Sequence, residues 1–258
     1  APTPVTALLH AVAVVKSGAF AVMRLTYYCF NVDLIRGTWV QYAVMSIAML
    51  SIIYGSTMAV KETHFKRRLA FSTVSNLSYI LLGVTMMSPQ GLLAGMSHLI
   101  FHAVMKIGAF FCAGAVLHQC GKEYVDELDG LAKKMPFVFG VFIVFGLSLT
   151  GIPMFAGFVS KWNIAQAAME TGKSYPYAYL ATAVLLYSAL MTAMYVLTTA
   201  VRAWFPNKGY DAKANEGITD PNWEMKLPLG IFTAAVLIWG LGSEPLMQIL
   251  RAVAHGVF

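Results

Sequence analysis

The stretch "SHLIFHAVMKIGAFFCAGAV", Ser97–Val116, is a continuous apolar run that nevertheless carries His98, His102 and Lys106. As a helix it is long enough to cross about 30 Å of hydrocarbon. The three polar residues are four apart, so a helix sets them on one face. They cover about 12 Å of its axis at ~1.5 Å per residue.

The rest of the chain fits the same setting. Its 258 residues are 58% hydrophobic and only 12% charged, about half the charged fraction usual for soluble domains. The mean hydropathy is +0.66. The apolar runs are continuous rather than alternating, which excludes a transmembrane barrel. The fold class is therefore all-α: a polytopic transmembrane helix bundle with about seven spans, in contact with membrane lipid. The spans are expected near Thr3–Tyr27, Thr38–Val60, Leu69–Met86, Gly91–His118, Phe137–Met169, Tyr177–Ala203 and Leu227–Leu250.

Charge orients these spans. Eleven of the eighteen basic residues fall in the loops after the second, fourth and sixth spans: Lys61, Lys66, Arg67 and Arg68; Lys122, Lys133 and Lys134; Arg202, Lys208, Lys213 and Lys226. The positive-inside rule places these loops in the cytoplasm and the C-terminus outside. The cluster around Arg68 reads as a topology signal that meets lipid headgroups. The net charge of +6 is accounted for by such loops, and no nucleic-acid partner is implied. The polar loop Asn207–Lys226 reads as a mobile surface segment.

Arg24, Arg36, Lys173 and Arg251 fall on the opposite side, which leaves three lysines, all inside spans: Lys16, Lys106 and Lys161. The twelve acidic residues all fall in loops or at helix ends. A charge at the bilayer centre is unfavourable by at least ~2.5–3.5 kcal/mol. Three such lysines on three spans point to a proton relay, because removal from water disfavours the charged ammonium and lets it release a proton. Histidine already titrates near neutrality, so Lys16, His98, His102, Lys106 and Lys161 are the candidate relay groups, with His10 as a further member. A metal is not expected, because no carboxylate or thiol completes the His98/His102 pair. Haem held by His10 with His98 or His102 is a rival reading that the neighbouring lysine disfavours. No cofactor is expected. Cys29, Cys112 and Cys120 have no ligand spacing and read as packing residues.

"LTGIPMFAGFVSKW", Leu149–Trp162, interrupts the fifth span with Gly151, Pro153 and Gly157. Proline frees backbone carbonyls, and non-helical backbone at membrane depth lines a cavity or is buried in protein. One broken helix is thus expected, with Lys161 just beyond it.

Taken together, "APTPVTALLHAVAVVKSGAFAVMRL", "KRRLAFSTVSNLSYILLG", "SHLIFHAVMKIGAFF", "LDGLAKKMP" and "GIPMFAGFVSKW" resemble the antiporter-like subunits of respiratory complex I, Mrp antiporters and membrane-bound hydrogenases. That family has fourteen core helices in two inverted five-helix repeats, and this chain looks like helix eight onward. The resemblance implies a connecting helix and outer loop over 1–37, the second repeat over 38–206 with its broken helix at 149–162, and a polar loop and C-terminal transmembrane helix over 207–258. It implies that Lys16 links two half-channels, that His98, His102 and Lys106 form the central axis, and that Lys161 is the terminal lysine. His10 matches a histidine of some members.

The family's glutamate on helix five and lysine on helix seven lie upstream of Ala1. The absent N-terminal half would supply the counter-carboxylate, so the chain is expected to begin inside a larger protein or to be one piece of a split one. Lys161 in place of glutamate excludes one complex I subunit type, and Lys16 together with Lys161 leans toward the Mrp D-like and hydrogenase-associated types.

The function implied is proton translocation, with Na+/H+ exchange as its variant. Antiporter-like and redox subunits are the implied partners, in the cytoplasmic membrane of a prokaryote. A haem- or quinone-binding redox subunit and a non-conducting scaffold are the alternatives.

Overall fold

The computed structural model describes Val5, Leu9 and residues 13–207 and 215–258. His10 lies outside the described residues. Ten α-helices carry the fold among those described: α1 (Val14–Arg24), α2 (Val32–Ile35), α3 (Trp39–Lys61), α4 (Phe65–Thr85), α5 (Pro89–Cys120), α6 (Pro136–Thr150), α7 (Ala156–Gly172), α8 (Tyr179–Trp204), α9 (Trp223–Leu241) and α10 (Glu244–His255). A π-helical turn, Leu25–Cys29, prolongs α1.

The opening stretch belongs to α5, and α5 is the hub. It packs against α4, α6, α7, α9 and α10. Pro89 starts it and Ser88 Oγ accepts the Gly91 N–H at 3.0 Å, while Gly121 ends it in the left-handed region at φ 69°. Its 32 residues make a rod of roughly 48 Å, so it overshoots the hydrocarbon. α4 crosses α5 closely, because Gly83, Gly91 and Gly95 bring backbone against backbone; a Cβ on Gly91 would stand 2.6 Å from Gly83 O. Small residues serve this purpose in membrane bundles, where packing rather than water exclusion drives association.

Among the described residues, four helices are long and apolar enough to span alone: α3, α5, α8 with the turn before it, and α9. α4 falls short because it is polar inside, with Arg68, Ser72, Thr73, Ser75, Asn76 and Ser78 all buried. It is nonetheless packed between α3 and α5. The fifth span is divided between α6 and α7, as the Gly/Pro break implies. The single span expected over 227–250 is instead two helices. α9 ends at Gly242, and Ser243-Glu244-Pro245 starts α10. α10 buries Met247, Leu250 and Ala254 at helical spacing, packs on α5, and turns Glu244 and Arg251 outward as an ion pair at 2.7 Å.

The charged loops gather at one end. Phe65 N donates to Glu123 O at 2.8 Å and Val125 N to Thr63 O at 2.9 Å, a short bridge centred on His64 and Tyr124. Gly130 N reaches Arg202 O at 3.2 Å. Glu127 accepts the Tyr124 and Glu123 N–H groups, which holds its carboxyl below the usual carboxylate range. At the opposite end Arg36 donates to Met87 O at 2.7 Å, and the C-terminal Phe258 ring packs on Tyr27 and Arg36.

Two surface expectations change. Arg68 does not meet headgroups: it is 7% exposed and caps the end of α3 and the last turns of α8. It donates to Glu62 O at 2.8 Å, Thr199 Oγ1 at 2.9 Å and Tyr195 O at 3.3 Å. Part of the Asn207–Lys226 loop is also docked. Asp220 accepts the Phe137 and Val138 N–H groups at 3.1 and 3.3 Å and so caps α6. Hydrogen bonds to a charged group contribute about 1.5–3 kcal/mol each. Arg68→Met keeps the stem but strips these acceptors, so it is expected to destabilise the folded chain by about 3 kcal/mol or more. A clear drop in the melting temperature of the purified protein checks this.

Candidate functional site

The site grows from α5. His98, His102 and Lys106 are each 0% exposed, so the stripe read from the sequence points into the bundle. The two imidazoles stack at 5.7 Å between centroids with 17° between planes. His98 Nδ1 pairs with Ser160 Oγ of α7 at 2.9 Å. Its ring also meets the Tyr79 ring of α4 edge-on at 5.3 Å. Lys106 Nζ donates to Ser72 Oγ of α4 at 2.8 Å.

Lys161 explains the broken helix. α6 stops at Gly151, whose φ of 93° only glycine adopts readily. The chain then runs non-helically to Phe155, with Met154 also at positive φ. This leaves the carbonyls at the end of α6 without helical donors. Lys161 Nζ fills that gap, donating to Leu149 O at 2.6 Å and Thr150 O at 3.2 Å. Its stem lies on Gly151, and the ammonium stands 5.2 Å from the centroid of the Tyr79 ring. Gly157 lets α7 close on α6: its N–H donates to Ser148 Oγ at 3.0 Å, and a Cβ there would coincide with the Ser148 carbonyl. α9 braces the break, since a Cβ on Gly240 would strike the Met154 carbonyl.

Lys16 is 4% exposed and its Nζ has no hydrogen-bond partner among the described residues. Both ring nitrogens of His102 and Nε2 of His98 are likewise unpaired there. Among the described residues none of these lysines and histidines forms an ion pair with a carboxylate.

His98, His102, Lys106 and Lys161 thus lie buried where α4, α5 and α7 meet, Lys16 is buried on α1, and His10 lies outside the described residues. Sequence reasoning did not single out Tyr79, which touches both His98 and Lys161, nor Ser160 and Tyr195. Spacing within one helix gives no sign of these partners: Tyr79 and Ser160 are at least nineteen positions from His98, and Tyr195 reaches the tract only through Ser72.

The tract can be compared with known proteins. Residues 1–192 match the family described as "NADH:quinone oxidoreductase/Mrp antiporter, TM". NADH-quinone oxidoreductase subunit N of Desulforudis audaxviator is 32% identical over 244 residues, covering 93% of this chain and 47% of that protein. F(420)H(2) dehydrogenase subunit N of Methanosarcina mazei is 29% identical over 262 residues, covering 98% of this chain and 50% of that protein. The chain spans about half the length of the curated relatives it matches. Among solved structures, the Mrp complex from Dietzia sp. DQ12-45-1b superposes with TM-score 0.85 at 24% identity, covering 99% of this chain and 53% of that one. Respiratory complex I from Thermus thermophilus gives 0.76 at 23% identity, covering 93% and 48%. Both show the same fold. With the buried polar tract, the broken helix and the match over residues 1–192, the chain belongs to the NADH:quinone oxidoreductase/Mrp antiporter transmembrane family.

Proposed function

We propose that this chain moves protons across a membrane through Lys106, His102, His98 and Lys161, as one part of a larger redox-driven or antiporter complex. The observation that carries this reading is the buried contact series from His102 to Lys161, with Lys106 one turn beyond His102 on α5. Two imidazoles and the Tyr79 ring link His102 to Lys161 across three helices. Lys106 receives a proton from the end of the bundle that bears the basic loops. His102 and His98 pass it along α5, and Lys161 releases it beside the broken helix. Lys16, buried and without a partner among the described residues, is the link toward a further half-channel. That half supplies the carboxylate. The basic loops face the cytoplasm, so Phe258, which packs beside Arg36, lies outside. The membrane is the cytoplasmic membrane of a prokaryote, and the partners are other antiporter-like and redox subunits. Na+/H+ exchange is the variant of this reading.

Lys161→Arg tests the reading against a scaffold. Arginine keeps the charge and the donors but does not release its proton. The variant complex is expected to assemble and to lose proton uptake into vesicles at matched turnover. Parental proton uptake in that variant would refute the relay role of Lys161. A dependence of transport on Na+ in place of pH would select exchange.

A further inference from the structure

The break in the fifth span leaves backbone in the open. α6 and α7 have 15 and 17 residues and rise roughly 22 and 26 Å on either side of it. That sets the break well inside about 30 Å of hydrocarbon. Ile152 and Met154 are 41% and 65% exposed, and Pro153 between them is exposed too. The Met154 N–H and the Pro153 carbonyl make no hydrogen bond among the described residues. Met154 also stands at φ 79°, a conformation that a residue with a side chain keeps only where its surroundings fix it. Gly240 of α9 closes on the Met154 carbonyl from one side, and the Met154 side chain is left outward.

Neither lipid nor water suits this surface. Lipid tails cannot bond a free N–H or carbonyl, so non-helical backbone at this depth is covered by protein or lines a water-filled cavity. The side chains here are those of isoleucine, proline and methionine, which offer water no partner. Trp162 of α7, stacked on Phe158 at 5.9 Å, and Leu237 and Leu241 of α9 are exposed on the adjoining turns. Unpaired backbone excludes lipid and apolar side chains disfavour water, which leaves protein. We propose that Ile152–Met154 is the seat of a transmembrane helix from another subunit, apolar but carrying an amide or hydroxyl side chain that meets the Met154 N–H and the Pro153 carbonyl. Such a side chain both donates and accepts, and contacts of this kind join helices in membranes. The occupant is a separate subunit because α1, which bears Lys16, packs on α4, whereas α7 and α9 frame the break. A half-channel continued from α1 adjoins α4 and leaves the break to a different neighbour. That neighbour stands next to Leu149 and Thr150, whose carbonyls Lys161 holds. The proposal takes from the reading above only that the chain is one part of a larger complex, and it does not depend on the proton relay.

The test uses the assembled complex purified from its native membranes, with the photoreactive residue p-benzoylphenylalanine in place of Met154. Benzophenone inserts into nearby C–H bonds and does not react with water. Illumination is expected to raise the apparent mass of the chain by that of another subunit. The attached peptide is expected to lie in an apolar run of about 20 residues that includes Ser, Thr, Asn or Gln. Where replacing Met154 prevents assembly, the same photoreactive residue in place of Ile152 carries the same expectation. A phospholipid adduct alone, a link only within the chain's own polypeptide, a link to a segment outside the membrane, or no adduct overturns the seat. Parental proton uptake in Lys161→Arg overturns the relay instead and leaves the seat standing, so the two failures are distinct.

Discussion

Lys106→Met is expected to cut proton uptake by about 100-fold or more while leaving the complex assembled, an effect in the range of positioned proton-transfer groups. Lys106 is fully buried and, among the described residues, holds one hydrogen bond, to Ser72. Methionine fills nearly the same volume with a flexible apolar chain. Ser72 keeps Tyr195 as its partner, so no hydroxyl is stranded. Replacing a buried charge by a well-packed apolar group is often neutral or stabilising. Uptake is lost because the proposed relay begins at this amine. The measurement pairs uptake into vesicles with the melting temperature of the purified complex. Lost uptake with an unchanged or higher melting temperature fits a proton carrier, whereas a lower melting temperature with normal uptake fits a packing residue.

Gly157→Ala is the second large effect, and it removes no chemistry. The added Cβ would coincide with the Ser148 carbonyl oxygen, a backbone atom that no rotamer can move. α6 and α7 must part. The Gly157 N–H to Ser148 bond opens, and Leu149 O and Thr150 O move away from Lys161. A misplacement of about 1 Å at a reacting group can cost ~100-fold in rate, and overpacking typically costs about 1–3 kcal/mol. Uptake is therefore expected to fall by about two orders of magnitude, together with a lower melting temperature. Gly140→Ala, on the same broken span, adds its methyl to open space and serves as the control. If both variants behave alike, the fit between the two half-helices is not what holds Lys161 in place.

Much of the architecture is legible in the residues. Continuous apolar runs mark the spans, and the Gly/Pro cluster marks the break, because both are local signals. The three lysines stand out because a buried charge is rare in a membrane. The last span was misread although "GSEP" carries a boundary signature, glycine after one helix and proline at the first turn of the next. Apolar residues on both sides outweighed it. Arg68 was hidden by its neighbours: Lys66 and Arg67 are surface cations, and adjacent sequence does not tell which member of a basic run turns inward. Tyr79 and Tyr195 were hidden by distance along the chain, since a hydroxyl gains its meaning from the helix opposite. Lys161 was legible as buried, but its partners, the carbonyls released at the end of α6, became visible only with the helices in place.

The Asp220 cap has a consequence for how the protein is made. The first amides of α6 are satisfied by a side chain that follows Phe137 by 83 residues. On a ribosome working at ~5–20 residues per second, that partner emerges roughly four to seventeen seconds later. Through that interval the start of the interrupted span must borrow water, headgroups or a chaperone. The start of the interrupted span is thus fixed only after the segment before α9 has emerged, well behind its own synthesis.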